Sequence, residues 1–274
     1  NVNQDHISRA SINDLDNDKK QDIVIASSKL GGGTHDGIIF ASELSGSPGQ
    51  FKKIKKKWQK DVGYEVEAPP SLGNIDNDKQ REIVFGFDNG TLEALDINPS
   101  GSSASLKWAF TVPTRYSAIA NGNFRGDLAF TAIENVDLED KNEILFLEGE
   151  GTLSDWPGNI YVLEDNGNSA TLKSNYTLGN GGGRGAPSLA NLDDDDEPEI
   201  VAPSFYGVYV LDYNPDTNII TKKWNNTDGK INGAVVIYDV DKDGEYELVY
   251  TTHTSLCHAS QTCFNRLYIR DAKT

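Results

Sequence analysis

Residues 14–27 read DLDNDKKQDIVIAS: nine residues in which Asp alternates with other side chains, running straight into a β-branched apolar stretch. The frame returns as NIDNDKQREIVFGF from Asn74, NVDLEDKNEILFLE from Asn135, NLDDDDEPEIVAPS from Asn191 and DVDKDGEYELVYTT from Asp239. Five occurrences in one register, 48 to 61 residues apart, mark an internal repeat. A repeat of that length dictates the architecture and has to be read before any other feature.

Working outward from each loop, the same unit recurs. A short small-residue strand precedes it, as at 8–12, 70–72, 186–189 and 234–238. Apolar strands follow it at 22–26, 82–87, 143–147, 199–202 and 247–251, rich in Ile, Val, Leu and Phe as buried strands are. A third strand reads GIIFASE from Gly37, GTLEALD from Gly90, GNIYVLE from Gly158, GVYVLD from Gly207 and RLYIRD from Arg266. A fourth carries lysine followed closely by an aromatic: Lys57-Trp58, Lys107-Trp108, Lys173 to Tyr176 and Lys223-Trp224. The aromatics read as packing between neighbouring units. Helical periodicity is absent, and Gly, Pro and Asn punctuate the junctions. The expected fold is all-β, a β-propeller of four-stranded antiparallel blades with five repeats visible, at about 1–62, 63–113, 114–179, 180–228 and 229–274. The chain is then a single propeller domain or part of one. The fifth repeat lacks its Lys-aromatic strand, so either Asn1 to His6 close it or the ring includes further blades.

The loops have the chemistry of a calcium site. Calcium takes six to eight oxygens at about 2.3–2.6 Å, and alternate residues of a tight loop converge on one centre. The one-three-five-seven-nine register gives Asp14, Asp16, Asp18, the Lys20 carbonyl and Asp22 in the first loop. It gives Asn74, Asp76, Asp78, the Gln80 carbonyl and Glu82 in the second, and Asn135, Asp137, Glu139, the Lys141 carbonyl and Glu143 in the third. The fourth set is Asn191, Asp193, Asp195, the Glu197 carbonyl and Glu199; the fifth is Asp239, Asp241, Asp243, the Glu245 carbonyl and Glu247, with a turn glycine at Gly244. Asp and Asn favour turns anyway, but so many carboxylates in nine residues repel one another unless a cation joins them. About one calcium per repeat is expected, and magnesium fits less well because it keeps several waters in a near-octahedral shell.

At these residues the chain resembles the FG-GAP and VCBS repeat family, the calcium-loop blades of integrin alpha-subunit propellers and many secreted microbial proteins. GAPS at Gly185 to Ser188 and APPS at Ala68 to Ser71 fit the family's glycine-alanine-proline signature. The resemblance implies structural metals and a non-catalytic extracellular or cell-surface module for adhesion, binding a glycan or a protein. Two alternatives follow from it: a rhamnogalacturonan-type polysaccharide lyase, and a surface-layer or filament building block that associates with itself.

Composition narrows the partners. A net charge of -17, from 42 acidic and 25 basic residues, argues against nucleic acid and anionic membranes. Apolar runs such as that around Ile83 are far shorter than the roughly 20 residues needed to cross a bilayer, so no membrane insertion is expected. Methionine is absent and the chain starts at Asn1, as expected of a trimmed or mature segment. Sequons at Asn89, Asn175 and Asn225 are expected in exposed turns of a secreted glycoprotein. Cys257 and Cys263 read as a local disulfide rather than a zinc site. The Arg125-Gly126-Asp127 tripeptide reads as coincidence, and the glycine-rich 179–185 as a turn without phosphate-loop context. The basic run at 52–60 reads as a solvated strand edge that discourages aggregation. No catalytic elbow, metalloprotease helix or nucleotide fingerprint is present.

Overall fold

The apolar run after each acidic loop becomes a strand whose first residue is position nine of the loop. The computed structural model describes residues 6–29, 36–45, 53–64, 66, 68–87, 90–112, 129–148, 157–180, 182, 185–193, 195–231, 233–253 and 265–273. Among them lie five antiparallel sheets and no helix. The first contains β1 (His6–Ile7), β2 (Ser11–Asn13), β3 (Asp22–Lys29), β4 (Asp36–Ser45) and β5 (Lys53–Val62). The second is β6 (Ser71–Gly73), β7 (Glu82–Gly86), β8 (Thr91–Ile97) and β9 (Ala104–Thr111). The third is β10 (Ala129–Glu134), β11 (Glu143–Glu148), β12 (Pro157–Asp165) and β13 (Ala170–Asn180). The fourth is β14 (Ser188–Ala190), β15 (Glu199–Pro203), β16 (Val208–Asn214) and β17 (Ile219–Asn225). The fifth is β18 (Lys230–Ile231), β19 (Val236–Tyr238), β20 (Glu247–His253) and β21 (Arg266–Asp271).

Sheets two, three and four are simple meanders in which each strand pairs with the next in sequence. The first adds β1, which pairs with β3 through His6 opposite Ser28. Thus His6 belongs to the first sheet. The fifth sheet takes its fourth strand from β18, which shares β20 with β19 while β21 lies on the other side. The expected first strands begin a little later than the small-residue runs, at Ser11 rather than Ser8, because pairing with the apolar strand sets the register.

Two compact units are distinguished: Asn1–Ile133 with Asp140–Asn142 and Glu164–Thr171, and Glu134–Glu139 with Glu143–Leu163 and Leu172–Thr274. In the first, Leu15, Val24, Ile39 and Trp58 pack with Ile83, Phe85 and Leu95, so the first and second sheets share a core. In the second, Val201, Val208 and Val210 pack with Ile231, Leu248 and Tyr250 of the fifth sheet.

Hydrogen bonds repeat at these junctions. The serine three residues before a loop donates to the carbonyl preceding the next sheet's short strand or within it: Ser11 to Pro70 O (2.5 Å), Ser71 to Thr131 O (2.7 Å) and Ser188 to Val235 O (2.8 Å). The fourth-strand tryptophans also cross. Trp108 Nε1 donates to Asp165 Oδ1 (2.6 Å), and Trp224 Nε1 to Ala272 O (2.9 Å). Both hold one sheet to the next, the packing role expected of the aromatics.

Candidate metal centres

Each loop closes a hairpin whose two ends are paired. Asn13 faces Asp22, Gly73 faces Glu82, Ala190 faces Glu199 and Tyr238 faces Glu247, so the residue before position one opposes position nine. To turn within that gap, position four takes a left-handed conformation at Asn17, Asn77, Leu138 and Lys242, with φ of 59°, 65°, 61° and 65°. Asn accepts that region readily; Leu and Lys do so at a cost, so the loop as a whole imposes it.

The polar side chains then point inward and accept backbone N–H groups. At position one, Asn74 Oδ1 accepts from Asn77 N (2.6 Å), and Asp239 Oδ1 from Lys242 N (2.6 Å). Position three accepts from position five: Asp76 Oδ1 from Asp78 N, Asp137 from Glu139 N, Asp193 from Asp195 N and Asp241 from Asp243 N, at 3.0–3.3 Å. Position five accepts from position seven, with Lys20, Gln80, Glu197 and Glu245 donating to Asp18, Asp78, Asp195 and Asp243. Position nine accepts from position two in all five loops: Leu15 to Asp22, Ile75 to Glu82, Val136 to Glu143, Leu192 to Glu199 and Val240 to Glu247.

Carboxylates are consequently crowded enough to hold a cation. Oxygens of Asp14, Asp16 and Asp18 lie within 4.8 Å of one another, as do those of Asp76, Glu82 and Asp96, of Asp193, Asp195 and Glu199, and of Asp239, Asp241 and Glu247. Among the described residues the third loop gathers no comparable trio, although Asp137 and Glu143 keep the common hydrogen bonds. Lys141 extends out of that loop, its Nζ 3.3 Å from Asp165 O.

Cationic neighbours are closer than the sequence implied. The fourth-strand lysines reach back into the loop of their own sheet: Lys57 Nζ to Asp16 (2.9 Å) and Asp22 (3.0 Å), Lys107 Nζ to Asp76 (2.7 Å) and Asp96 (3.0 Å), and Lys173 Nζ to Asp137 (2.7 Å). Lys223 Nζ contacts Asp193 and lies 2.5 Å from Glu199. A β-bulge aims three of them. Ala41 pairs with Trp58 but Ser42 with Lys56, Ala94 with Trp108 but Leu95 with Leu106, and Val210 with Trp224 but Leu211 with Lys222. Lys57, Lys107 and Lys223 are therefore the extra residues, which a bulge turns out of the normal alternation. Within the basic run expected on a solvated edge, Lys57 is the correction: it is half-buried against the first loop. Lys53, Lys55 and Lys56 remain exposed on the edge strand β5.

The lysines do not satisfy every oxygen. Among the described residues four buried side-chain polar atoms lack a hydrogen-bond partner, and three are loop oxygens: Asp16 Oδ1, Glu82 Oε1 and Asn135 Oδ1. They occupy positions three, nine and one. Burial pushes the Glu82 carboxyl up to about 8 and the Glu143 carboxyl to about 7, with the nearby Asp76 and Asp137 charges adding to it. The Lys57 ammonium is opposed by burial, but Asp16 and Asp22 outweigh that and hold it above the usual lysine range. Part of the burial comes from the next sheet. Gly101, at φ 62°, lies against the Asp16–Lys57 pair, where a Cβ would collide with both side chains. Beside the fourth loop a cavity of about 340 Å³ is lined by Asp193, Glu199, Lys223, Trp224, Ala272 and Lys273.

Asp96 was not among the residues expected from the loop register. Its signal was the acid that ends each third-strand motif, as in GTLEALD. Of the expected glycosylation positions, Asn175 is exposed within β13 rather than in a turn, and Asn225 ends β17 half-buried. Asn89, Cys257, Cys263 and the 125–127 tripeptide lie outside the described residues. No helix among the described residues is long and apolar enough to cross a membrane. No protein-family model matches the chain, and no curated protein matches it either.

Proposed function

We propose that this chain is a calcium-stapled β-propeller segment, akin to FG-GAP and VCBS repeats, that serves as a non-catalytic extracellular module binding a glycan or another protein. The observation that carries the metal is the trio of buried, unpartnered oxygens at Asp16, Glu82 and Asn135. A buried oxygen without a partner is costly, and all three occupy ligand positions of the repeated register. An all-oxygen donor set of carboxylates, amides and carbonyls is what calcium prefers. Three sheets of one strand order and two variants of it, each carrying one acidic loop, support blades of a propeller. Kinship with the family rests on the nine-residue frame and on Gly185 to Ser188 and Ala68 to Ser71. With the metals engaged in holding hairpins together, recognition falls to loops at the sheet ends, and the exposed Asn175 suits a glycosylated secreted protein.

Thermal unfolding with excess calcium and with chelator tests the reading. A ligand bound only by the native state stabilises it by about 2.7 kcal/mol per site at a hundredfold excess over Kd, so several sites raise the melting temperature strongly. An unchanged melting temperature would sink the calcium assignment. Release of unsaturated, ultraviolet-absorbing products from rhamnogalacturonan would replace the non-catalytic reading with a lyase.

A further inference from the structure

We infer that Lys57 and Lys107 set the cation affinity of the first and second loops: each is a built-in ammonium that a divalent ion has to share a carboxylate with. The inference rests on the metal reading above but adds what that reading leaves open, namely how strongly the loops hold the ion and what holds them without it. Three observations carry it. First, the lysines are the extra residues of β-bulges at one fixed place, opposite Ala41/Ser42 and Ala94/Leu95. An unbulged strand would direct them by ordinary alternation. Second, each takes the outer oxygen of position three, Asp16 Oδ2 at 2.9 Å or Asp76 Oδ2 at 2.7 Å. The inner oxygen is left to the loop: Asp76 Oδ1 accepts the Asp78 N–H, and Asp16 Oδ1 is buried without a partner. Third, the ammonium leaves ligand capacity unused, because Glu82 Oε1 is buried and unpartnered although Lys107 lies in the same cluster.

Two consequences follow from Coulomb's law. An ammonium and a divalent ion on the two oxygens of one carboxylate repel, and even with water-like screening this lowers affinity about tenfold. In the absence of the ion the same ammonium offsets the carboxylates, Asp22 among them, that would otherwise be buried unpaired. The lysine thus weakens the metal site and supports the metal-free loop. Met in its place gives a tighter site on a less stable apoprotein.

The test uses the full chain, stripped with chelator and titrated with calcium by calorimetry, alongside melting temperatures in chelator. Lys57→Met and Lys107→Met are each compared with wild type and with Lys55→Met, an exposed lysine on the same strand as Lys57. Expected are one calcium site tightened about tenfold and a lower chelated melting temperature in each loop-facing variant, with Lys55→Met like wild type. Unchanged or weaker calcium binding overturns the inference, since a lysine that merely orients position three would weaken the site when removed. If a Met variant does not fold, Lys57→Gln or Lys107→Gln keeps a donor, removes the charge and is judged by the same affinities. Wild-type protein that takes up no calcium defeats the metal reading itself, whereas wild-type uptake with unaltered variants defeats only the role of the lysines.

Discussion

The second and fifth sheets start from the same nine-residue frame and end in different surroundings. In the second, every residue of β7 is buried, so both faces of the strand are covered. In the fifth, β20 alternates: Leu248, Tyr250 and Thr252 are buried, whereas Val249 is half-buried and Thr251 exposed. Its uncovered face carries Val236, Tyr238, Leu267 and Ile269, all more than half exposed. The loops differ in the same sense. Glu82 is buried with Lys107 nearby, while Asp241 is exposed, Glu247 is half-buried, and among the described residues no ammonium reaches either. A shared loop register therefore does not define one electrostatic site; the neighbouring sheet and the bulged strand contribute as well.

The largest effect that would sharpen this contrast is in the cores. Phe85→Ala, on a strand covered on both faces, is expected to cost about 3–5 kcal/mol through lost burial and the cavity left behind. Ile269→Ala, on the open face of β21, should stay within about 0.5 kcal/mol. Denaturant midpoints measure both. Equal losses would break the comparison by revealing that the face of the fifth sheet is covered after all.

A second contrast concerns pH. The Glu82 carboxyl, raised by burial to about 8 from an ordinary 4.5, favours its protonated form in the folded state. Its contribution to metal-free stability is then complete below about 4.5 and is lost as pH rises through about 8. Glu143, raised to about 7, acts in the same direction. Chelated protein should thus melt at progressively lower temperature across that interval, and Glu82→Gln should remove part of the slope. Calcium, which needs the ionised carboxylate, should flatten or reverse it. A chelated melting temperature independent of pH, or a slope untouched by Glu82→Gln, contradicts the assignment of a carboxyl whose burial outweighs the nearby Lys107 charge.

How much of this was legible beforehand follows from which forces are local. The loop register and the strand starting at position nine were readable, because turn-favouring Asp and Asn give way abruptly to Ile, Val and Leu. The Lys-aromatic pair was readable as a motif, yet the lysine's destination was not. Alternation alone places Lys57 on a regular strand, whereas the extra residue opposite Ala41 and Ser42 is a property of the pairing with β4. Asp96 escaped for a related reason: it comes from the third strand and meets Asp76 and Glu82 only when the sheet has formed. The roof that Gly101 makes over Asp16 and Lys57 is more remote still, being a contact between two repeats.

The tryptophans give the smallest and cleanest contrast, because three copies of one motif have different partners. Trp58, Trp108 and Trp224 each directly follow the bulged lysine. Trp108 Nε1 finds the carboxylate of Asp165 and Trp224 Nε1 the carbonyl of Ala272, while Trp58 Nε1 is buried without a partner. Phe at each site removes the N–H and keeps most of the apolar contact. Trp108→Phe loses a hydrogen bond to a charged group and leaves Asp165 short of a donor, which should cost about 1.5–3 kcal/mol. Trp224→Phe loses a neutral one, worth about 1 kcal/mol. Trp58→Phe relieves an unsatisfied donor, and its loss of ring area should be largely offset, leaving stability near that of wild type. The order Trp108, Trp224, Trp58 in denaturant midpoints is the measurable outcome. If Trp58→Phe proved as damaging as Trp108→Phe, the indole would be acting through packing volume alone, and the hydrogen bonds between sheets would not be what distinguishes the repeats.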